Sequence, residues 1–216
     1  MNNENDRIVV LISGSGSNLQ ALIDTVHNDL KKIGKIAAVI SNKPGVLGLK
    51  RAEKAGIPTH VLSHRGFNER EAYDAELLDL IERYQPKLVV LAGFMRILSA
   101  NFVEHFLGRL LNIHPSLLPK YKGLHTHKRA LAAGDKEQGA SVHFVTPALD
   151  GGPVVAQSRC EIMAGDSEAY LAKRVQGLEH ALYPKVVSWF MQNQLQWRDH
   201  EVWLMGEKLS EPEQVE

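Results

Sequence analysis

The stretch Arg7-Ile-Val-Val-Leu-Ile-Ser-Gly-Ser-Gly-Ser-Asn-Leu-Gln-Ala-Leu-Ile23 decides how the chain is to be read. Arg7 to Ile12 is a short apolar run rich in β-branched side chains, the pattern of a strand buried on both faces. Ser13 to Asn18 holds only small and turn-forming residues, and a helical pattern starts from about Asn18. A strand that passes through glycines straight into a helix leaves backbone N–H groups exposed at the helix N-terminus, a position that favours an anion. The spacing excludes two common occupants. A dinucleotide fingerprint needs glycine or alanine where Leu19 stands, and an acid at the end of the second strand, where Ser41 and Asn42 stand. A Walker loop needs Gly-Lys-Ser/Thr after a four-residue spacer from Gly14, where the chain has Leu19 and Gln20. Two readings stay open: a cradle for a phosphate monoester, or a plain strand-to-helix turn capped by Ser17 or Asn18.

The same rhythm continues outward from this unit. Lys35-Ile-Ala-Ala-Val-Ile-Ser41 reads as a second strand and a helix follows from about Gly48. Tyr73, Leu77, Leu80, Ile81 and Tyr84 recur at helical spacing, and Pro86 separates them from the strand candidate Lys87-Leu-Val-Val-Leu-Ala92. Short strands alternating with helices predict a parallel sheet built from βαβ units. Arg109-Leu-Leu-Asn-Ile113 and Ser141-Val-His-Phe-Val145 are two further strands, and Lys120 to His127 between them reads as a loop. The last strong helix is expected to start near Asp166 as its N-cap, to bury Leu171, Val175, Leu178 and Leu182, and to stop before Pro184. No linker composition interrupts residues 1–205, so these read as one domain, with 206–216, acidic and polar, as a flexible tail.

Bulk composition narrows the class. Lys plus Arg and Asp plus Glu each total 25 in 216 residues, so no field of one sign draws the protein to nucleic acid or to an anionic membrane. A small-molecule partner is expected. No apolar run approaches the roughly 18 to 20 residues that span a bilayer, and the start Met-Asn-Asn-Glu-Asn-Asp-Arg lacks the apolar core of a secretory signal, which makes the cytoplasm the expected location. A single cysteine, Cys160, cannot close an internal disulfide and reads as a small buried hydrophobe.

Asn112-Ile-His-Pro-Ser-Leu-Leu-Pro119 begins at the end of a predicted strand, where ligands bind in open α/β sheets. Two residues apart in an extended chain, Asn112 and His114 point to the same face. Asp150, in Asp150-Gly-Gly-Pro153, follows another predicted strand and is expected at the same carboxyl edge. An amide N–H beside an imidazolium held by a carboxylate suits a reaction in which a carbonyl oxygen gains negative charge, and the histidine can also pass a proton to a leaving nitrogen. That is acyl-transfer chemistry. Taken singly, each residue also fits a plain structural role, a strand-end histidine or an Asp-Gly-Gly turn.

The chain resembles the glycinamide ribonucleotide transformylases over residues 7 to about 204. Ser13-Gly-Ser-Gly-Ser-Asn-Leu19, Leu91-Ala-Gly-Phe-Met-Arg-Ile-Leu98, Leu111-Asn-Ile-His-Pro-Ser-Leu-Leu-Pro119, Gly123-Leu-His-Thr-His127 and Asp150-Gly-Gly-Pro153 carry the resemblance. It implies a single-domain Rossmann-like formyltransferase fold, a mostly parallel twisted sheet with helices on both faces. It implies transfer of a formyl group from 10-formyltetrahydrofolate to the amino group of glycinamide ribonucleotide, with no metal. By the resemblance Asn112, His114 and Asp150 are catalytic, Asp150 raising the pKa of His114. Gly16, Ser17 and Asn18 match the loop that holds the ribonucleotide phosphate, and Glu179 the carboxylate that meets its amino group. Arg70, Met95, Arg96, Ile97 and Leu98 match folate contacts. Related enzymes that act on tRNA or hydrolyse the folate carry a further domain, and the span of this chain argues against both.

Other readings are plainer. His125 and His127 have the spacing of two ligands on one face of an extended chain, but lack a third ligand at a metal spacing. Arg70 also reads as a solvated first helical turn, and Met95, Ile97 and Leu98 as core.

Overall fold

β1 (Arg7–Ile12) lies in the middle of an eight-stranded sheet in a computed structural model that describes residues 6–29, 33–199 and 201–216. It pairs in parallel with β2 (Lys35–Ser41) on one side and with β4 (Leu88–Leu91) on the other. β3 (Thr59–Val61) extends the parallel set beyond β2, and β5 (Leu110–His114) extends it beyond β4. The direction then changes. β6 (Glu137–Phe144) runs antiparallel to β5, and β7 (Val154–Glu161) antiparallel to β6.

Alternation along β1 divides the core in two. Ile8, Val10 and Ile12 pack with Leu19 of α1 (Ser17–Leu22), Leu49 of α2 (Leu47–Lys54) and Leu171, Val175 and Leu182 of α6 (Glu168–Met191). Val9 and Leu11 point the other way, onto Tyr73 and Leu77 of α3 (Arg70–Glu82) and Phe102 of α4 (Ala100–His105). Burial on both faces explains why β1 reads as a continuous apolar run. Each such side chain contributes about 1.5–3 kcal/mol when fully buried. The mainly parallel sheet with helices on both faces is the architecture expected from the sequence.

Three local expectations are corrected. α6 continues through Pro184 to Met191. An interior proline costs about 3 kcal/mol, but here Tyr183, Val186, Val187 and Met191 are all buried, and the Tyr183 hydroxyl reaches the carbonyls of Leu91 and Leu111 at 3.0 Å. Packing therefore outweighs the missing bond. The N-cap of α6 is Ser167, whose hydroxyl accepts from the Tyr170 N–H, while Asp166 accepts from the Met163 N–H and holds Arg174 at 2.7 and 3.0 Å. Residues 206–216, expected as a flexible tail, are paired. After α6, β8 (Leu195–Arg198), β9 (Glu201–Leu204) and β10 (Glu207–Lys208) form a small antiparallel sheet. β11 (Glu213–Gln214) then adds to the main sheet parallel to β7, with Val215 buried and its carbonyl accepting from the Ser158 hydroxyl at 2.6 Å. Residues 1–5 of the expected domain lie outside the described residues.

Candidate active site

The loop after β1 is held between α2 and α6. Gly16 adopts φ 68°, and a Cβ there would meet the Gly48 Cα at 2.6 Å, so only glycine fits against the start of α2. The Gly48 N–H donates to the Gly14 carbonyl at 3.1 Å. From the other side, α6 reaches in: the Gln176 amide donates to the Ser17 hydroxyl at 3.1 Å and the Asn18 amide to Glu179 Oε2 at 2.6 Å. Gly16, Ser17, Asn18 and Glu179 thus form one cluster. Burial pushes the Glu179 carboxyl above its ordinary value, and the Asn18 bond pulls partly back. Asn18 is itself buried and its Oδ1 has no protein partner. It is an acceptor without a donor, beside a carboxylate.

The second cluster stands on β5 and β6. In an antiparallel pair, directly opposed residues share a face, so Asn112 and His143 point together, as do His114 and Ser141. The face is the one away from α6. Asn112 donates its amide to His143 Nε2 at 3.1 Å, and His143 Nδ1 lies 2.8 Å from the Phe144 carbonyl. A carbonyl only accepts, which puts the hydrogen of His143 on Nδ1 and the lone pair on Nε2. Burial pulls the ring below the ordinary histidine range, the Phe144 bond opposing this in part, so it is neutral at pH 7. The neutral ring aims the amide of Asn112 and leaves one of its two N–H groups free.

His114 is buried, with Nε2 2.9 Å from the Tyr121 carbonyl and Nδ1 3.5 Å from Asp150 Oδ2. Both ring nitrogens face acceptors. Asp150 also takes the Gly123 N–H at 2.8 Å, and its Oδ1 lies 3.8 Å from His143. Its route corrects the expectation from sequence. β6 is antiparallel, so its carboxyl end lies opposite Leu111, at the far edge from His114. Asp150 reaches the site because the segment after β6 folds back over the sheet. Gly152 allows that return: a Cβ there would stand 1.8 Å from the Phe144 carbonyl oxygen. The loop of residues 115–125 covers the same face, tied down by the Ser141 and Gln157 side chains to Ser116 and Leu118. It ends at α5 (Thr126–Ala133), whose N-cap is His125 at φ 58°. His125 and His127 therefore do not share an extended strand, and the reading of them as same-face ligands is set aside.

The third group lies after β4. The Met95 N–H donates to the Ser13 hydroxyl at 2.8 Å, which ties this segment to the first loop. Met95 and Ile97 are 63% and 59% exposed, so they are not core residues, whereas Leu98 is buried and packs beside Phe102. Arg96 lies 4.4 Å over the ring of Tyr73, one helical turn from the exposed Arg70. Burial pushes the Tyr73 hydroxyl up to about 12, with Arg96 opposing. Half-buried Cys160 packs against the core.

Three participants were missed in the sequence. His143 sits in a predicted strand at the same parity as Ser141, and an alternation that puts a histidine inward was the available signal. Tyr121 acts through its carbonyl, and Arg51, which donates to the Ser15 carbonyl, reaches the first loop from α2. Neither has a sequence signal.

β1 and β4 lie at the point where the strand order reverses, and the loops at their carboxyl ends meet there. With an amide, an imidazole and a carboxylate converging on the next strand, the molecule has the form of an α/β group-transfer enzyme. Residues 6–187 match the formyl transferase family, and the chain belongs to it. It is similar to the phosphoribosylglycinamide formyltransferase of Escherichia coli strain K12, 58% identical over 202 residues that cover 94% of this chain and 95% of that protein. It is 52% identical over 183 residues to the trifunctional purine biosynthetic protein adenosine-3 of Drosophila melanogaster, covering 84% of this chain and 14% of that protein. A solved phosphoribosylglycinamide formyltransferase from Coxiella burnetii superposes with a TM-score of 0.92 at 48% identity, over 98% of this chain and all of that one. No helix among the described residues is long and apolar enough to cross a membrane.

Proposed function

We propose that the protein transfers a formyl group from 10-formyltetrahydrofolate to the amino group of glycinamide ribonucleotide, giving formylglycinamide ribonucleotide and tetrahydrofolate in purine synthesis. The observation that carries the reading is the convergence of Asn112, His114 and Asp150 on one sheet face. The cluster of Gly16, Ser17 and Asn18 with Glu179 lies at the neighbouring strand ends. The Ser-Gly loop takes the phosphate, and Glu179 with the unpaired Oδ1 of Asn18 takes the amine. Arg70 and the segment Met95, Arg96, Ile97 and Leu98 grip the folate, Met95 and Ile97 offering the apolar surface.

The amine attacks the formyl carbon, and the carbonyl oxygen becomes negative. The free N–H of Asn112 and the Nε2–H of His114 stabilise that oxyanion, the formyl oxygen taking the place now held by the Tyr121 carbonyl. Asp150 faces the other nitrogen and orients the ring. The oxyanion then collapses to a carbonyl as the bond between the formyl carbon and the folate nitrogen breaks, while a proton leaves the attacking nitrogen and reaches the departing one through His114 or water. No covalent enzyme intermediate is required, and no step uses a metal.

The test is to incubate the protein with 10-formyltetrahydrofolate, with and without glycinamide ribonucleotide, and to follow tetrahydrofolate. Turnover that depends on the ribonucleotide is expected. Equal turnover without it would make the protein a hydrolase, and tight binding with no transfer would make it a sensor.

A further inference from the structure

Residues 13 to 18 contain no basic side chain, although the reading above seats a dianionic phosphate there. α1 offers little compensating charge, because it is only six residues long and a π-helical turn, Ile23–His27, follows it directly. A positive charge reaches the loop from elsewhere. Among the described residues, the basic side chain that bonds to residues 13–18 is Arg51 of α2. Its Nε donates to the Ser15 carbonyl at 2.9 Å and its Nη1 to Gln20 Oε1 at 3.1 Å. The side chain also passes close to Gly16, where a Cβ would lie 3.6 Å from the Arg51 Cδ.

We infer that Arg51 is the specificity-determining cation for a phosphorylated acceptor: it holds the Ser13–Asn18 loop at Ser15 and supplies the charge that the loop itself lacks. The inference rests on the acceptor reading above and extends it to a residue outside the loop. The geometry separates two contributions. The Nε bond to Ser15 shapes the loop and serves any acceptor equally. The charge discriminates between an acceptor with a phosphate and one without. A guanidinium held by two fixed acceptors loses little further freedom when an anion arrives, so its charge is already in place.

The decisive quantity is a ratio: kcat/KM for glycinamide ribonucleotide over kcat/KM for its dephosphorylated riboside. The ratio is to be measured for the wild type, Arg51→Gln and Arg51→Lys. Arg51→Gln lowers it by roughly tenfold to a hundredfold, the range of a lost bond to a charged group, mainly through KM for the ribonucleotide. Arg51→Lys keeps the charge without the fork and falls between. In parallel, inorganic phosphate as a competitive inhibitor weakens in the order wild type, Lys, Gln, and this also reads out the Lys variant if Arg51→Gln does not fold. A ratio that stays within about twofold of wild type in Arg51→Gln overturns the inference, as does a Lys variant no better than Gln. A wild-type ratio near one would instead remove the acceptor reading itself, and this inference with it.

Discussion

The Asn112–His114–Asp150 cluster and the Met95–Leu98 segment, assigned above to one proposed reaction, are built in opposite ways. In the first, each side chain has a partner in the protein: Asn112 is aimed by His143, and His114 is bracketed by Tyr121 and Asp150. In the second, Met95 and Ile97 stand more than half exposed, and what holds them is backbone, through Ser13. Chemistry that depends on placing an N–H at a developing charge needs groups fixed before substrate arrives. A surface that only grips a flat ring needs area. The prediction is that changes in the first region act on kcat and changes in the second on KM.

The largest effect is expected at the centre. His114→Ala and Asp150→Asn should each lower kcat by at least about a hundredfold with the thermal midpoint largely retained, measured by steady-state turnover beside a melting curve. Normal turnover in both would dissolve the contrast. His143→Phe keeps the shape but removes the acceptor that aims Asn112, and kcat should fall about tenfold, or about 1.4 kcal/mol. His143→Gln, whose carbonyl can accept from Asn112, should recover part of that loss, which a purely structural histidine would not show. On the gripping side, Ile97→Ala should raise KM for the folate by about threefold to tenfold, in keeping with the roughly 1 kcal/mol of a lost apolar contact, with kcat within about twofold. A drop in kcat of the same size would mean that the segment also positions the reacting carbon.

The smallest effect sharpens the comparison from the acceptor side. Glu179 is raised by burial, so its contribution to stability is present below its ordinary value of 4.5 and is lost as pH rises through the higher folded value. Glu179→Gln keeps an acceptor for Asn18 without a buried charge. Its thermal midpoint relative to wild type should therefore improve as pH rises from about 4, by up to about 3 °C at neutrality, while acceptor KM worsens. A variant that melts earlier at pH 7 than at pH 4, relative to wild type, would refute the sign.

What the sequence disclosed follows from range. β1, β2 and β4 were legible because their apolar runs answer to burial on both faces, a property of the strand itself. Asn112 and His114 were legible as a pair because period-2 geometry is local. The path of Asp150 was not, since it depends on β6 reversing direction and on a return held open at Gly152. Nor was the helix beyond Pro184, where a local penalty is overruled by burial that only the assembled sheet provides. β11 was invisible for a simpler reason: two polar residues, Glu213 and Gln214, carry no pattern, and their pairing belongs to β7.

That short pairing bears on how the molecule avoids its own kind. An outermost strand with bare backbone groups is a template for another chain, and natural sheets blunt it with charge or cover. β7 uses both. Toward its end Arg159 and Glu161 stand exposed and charged, while Ala156 and Gln157, uncharged and buried, lie where Glu213 and Gln214 seal the ladder. The cover of the sheet edge thus comes from residues that look dispensable in the sequence.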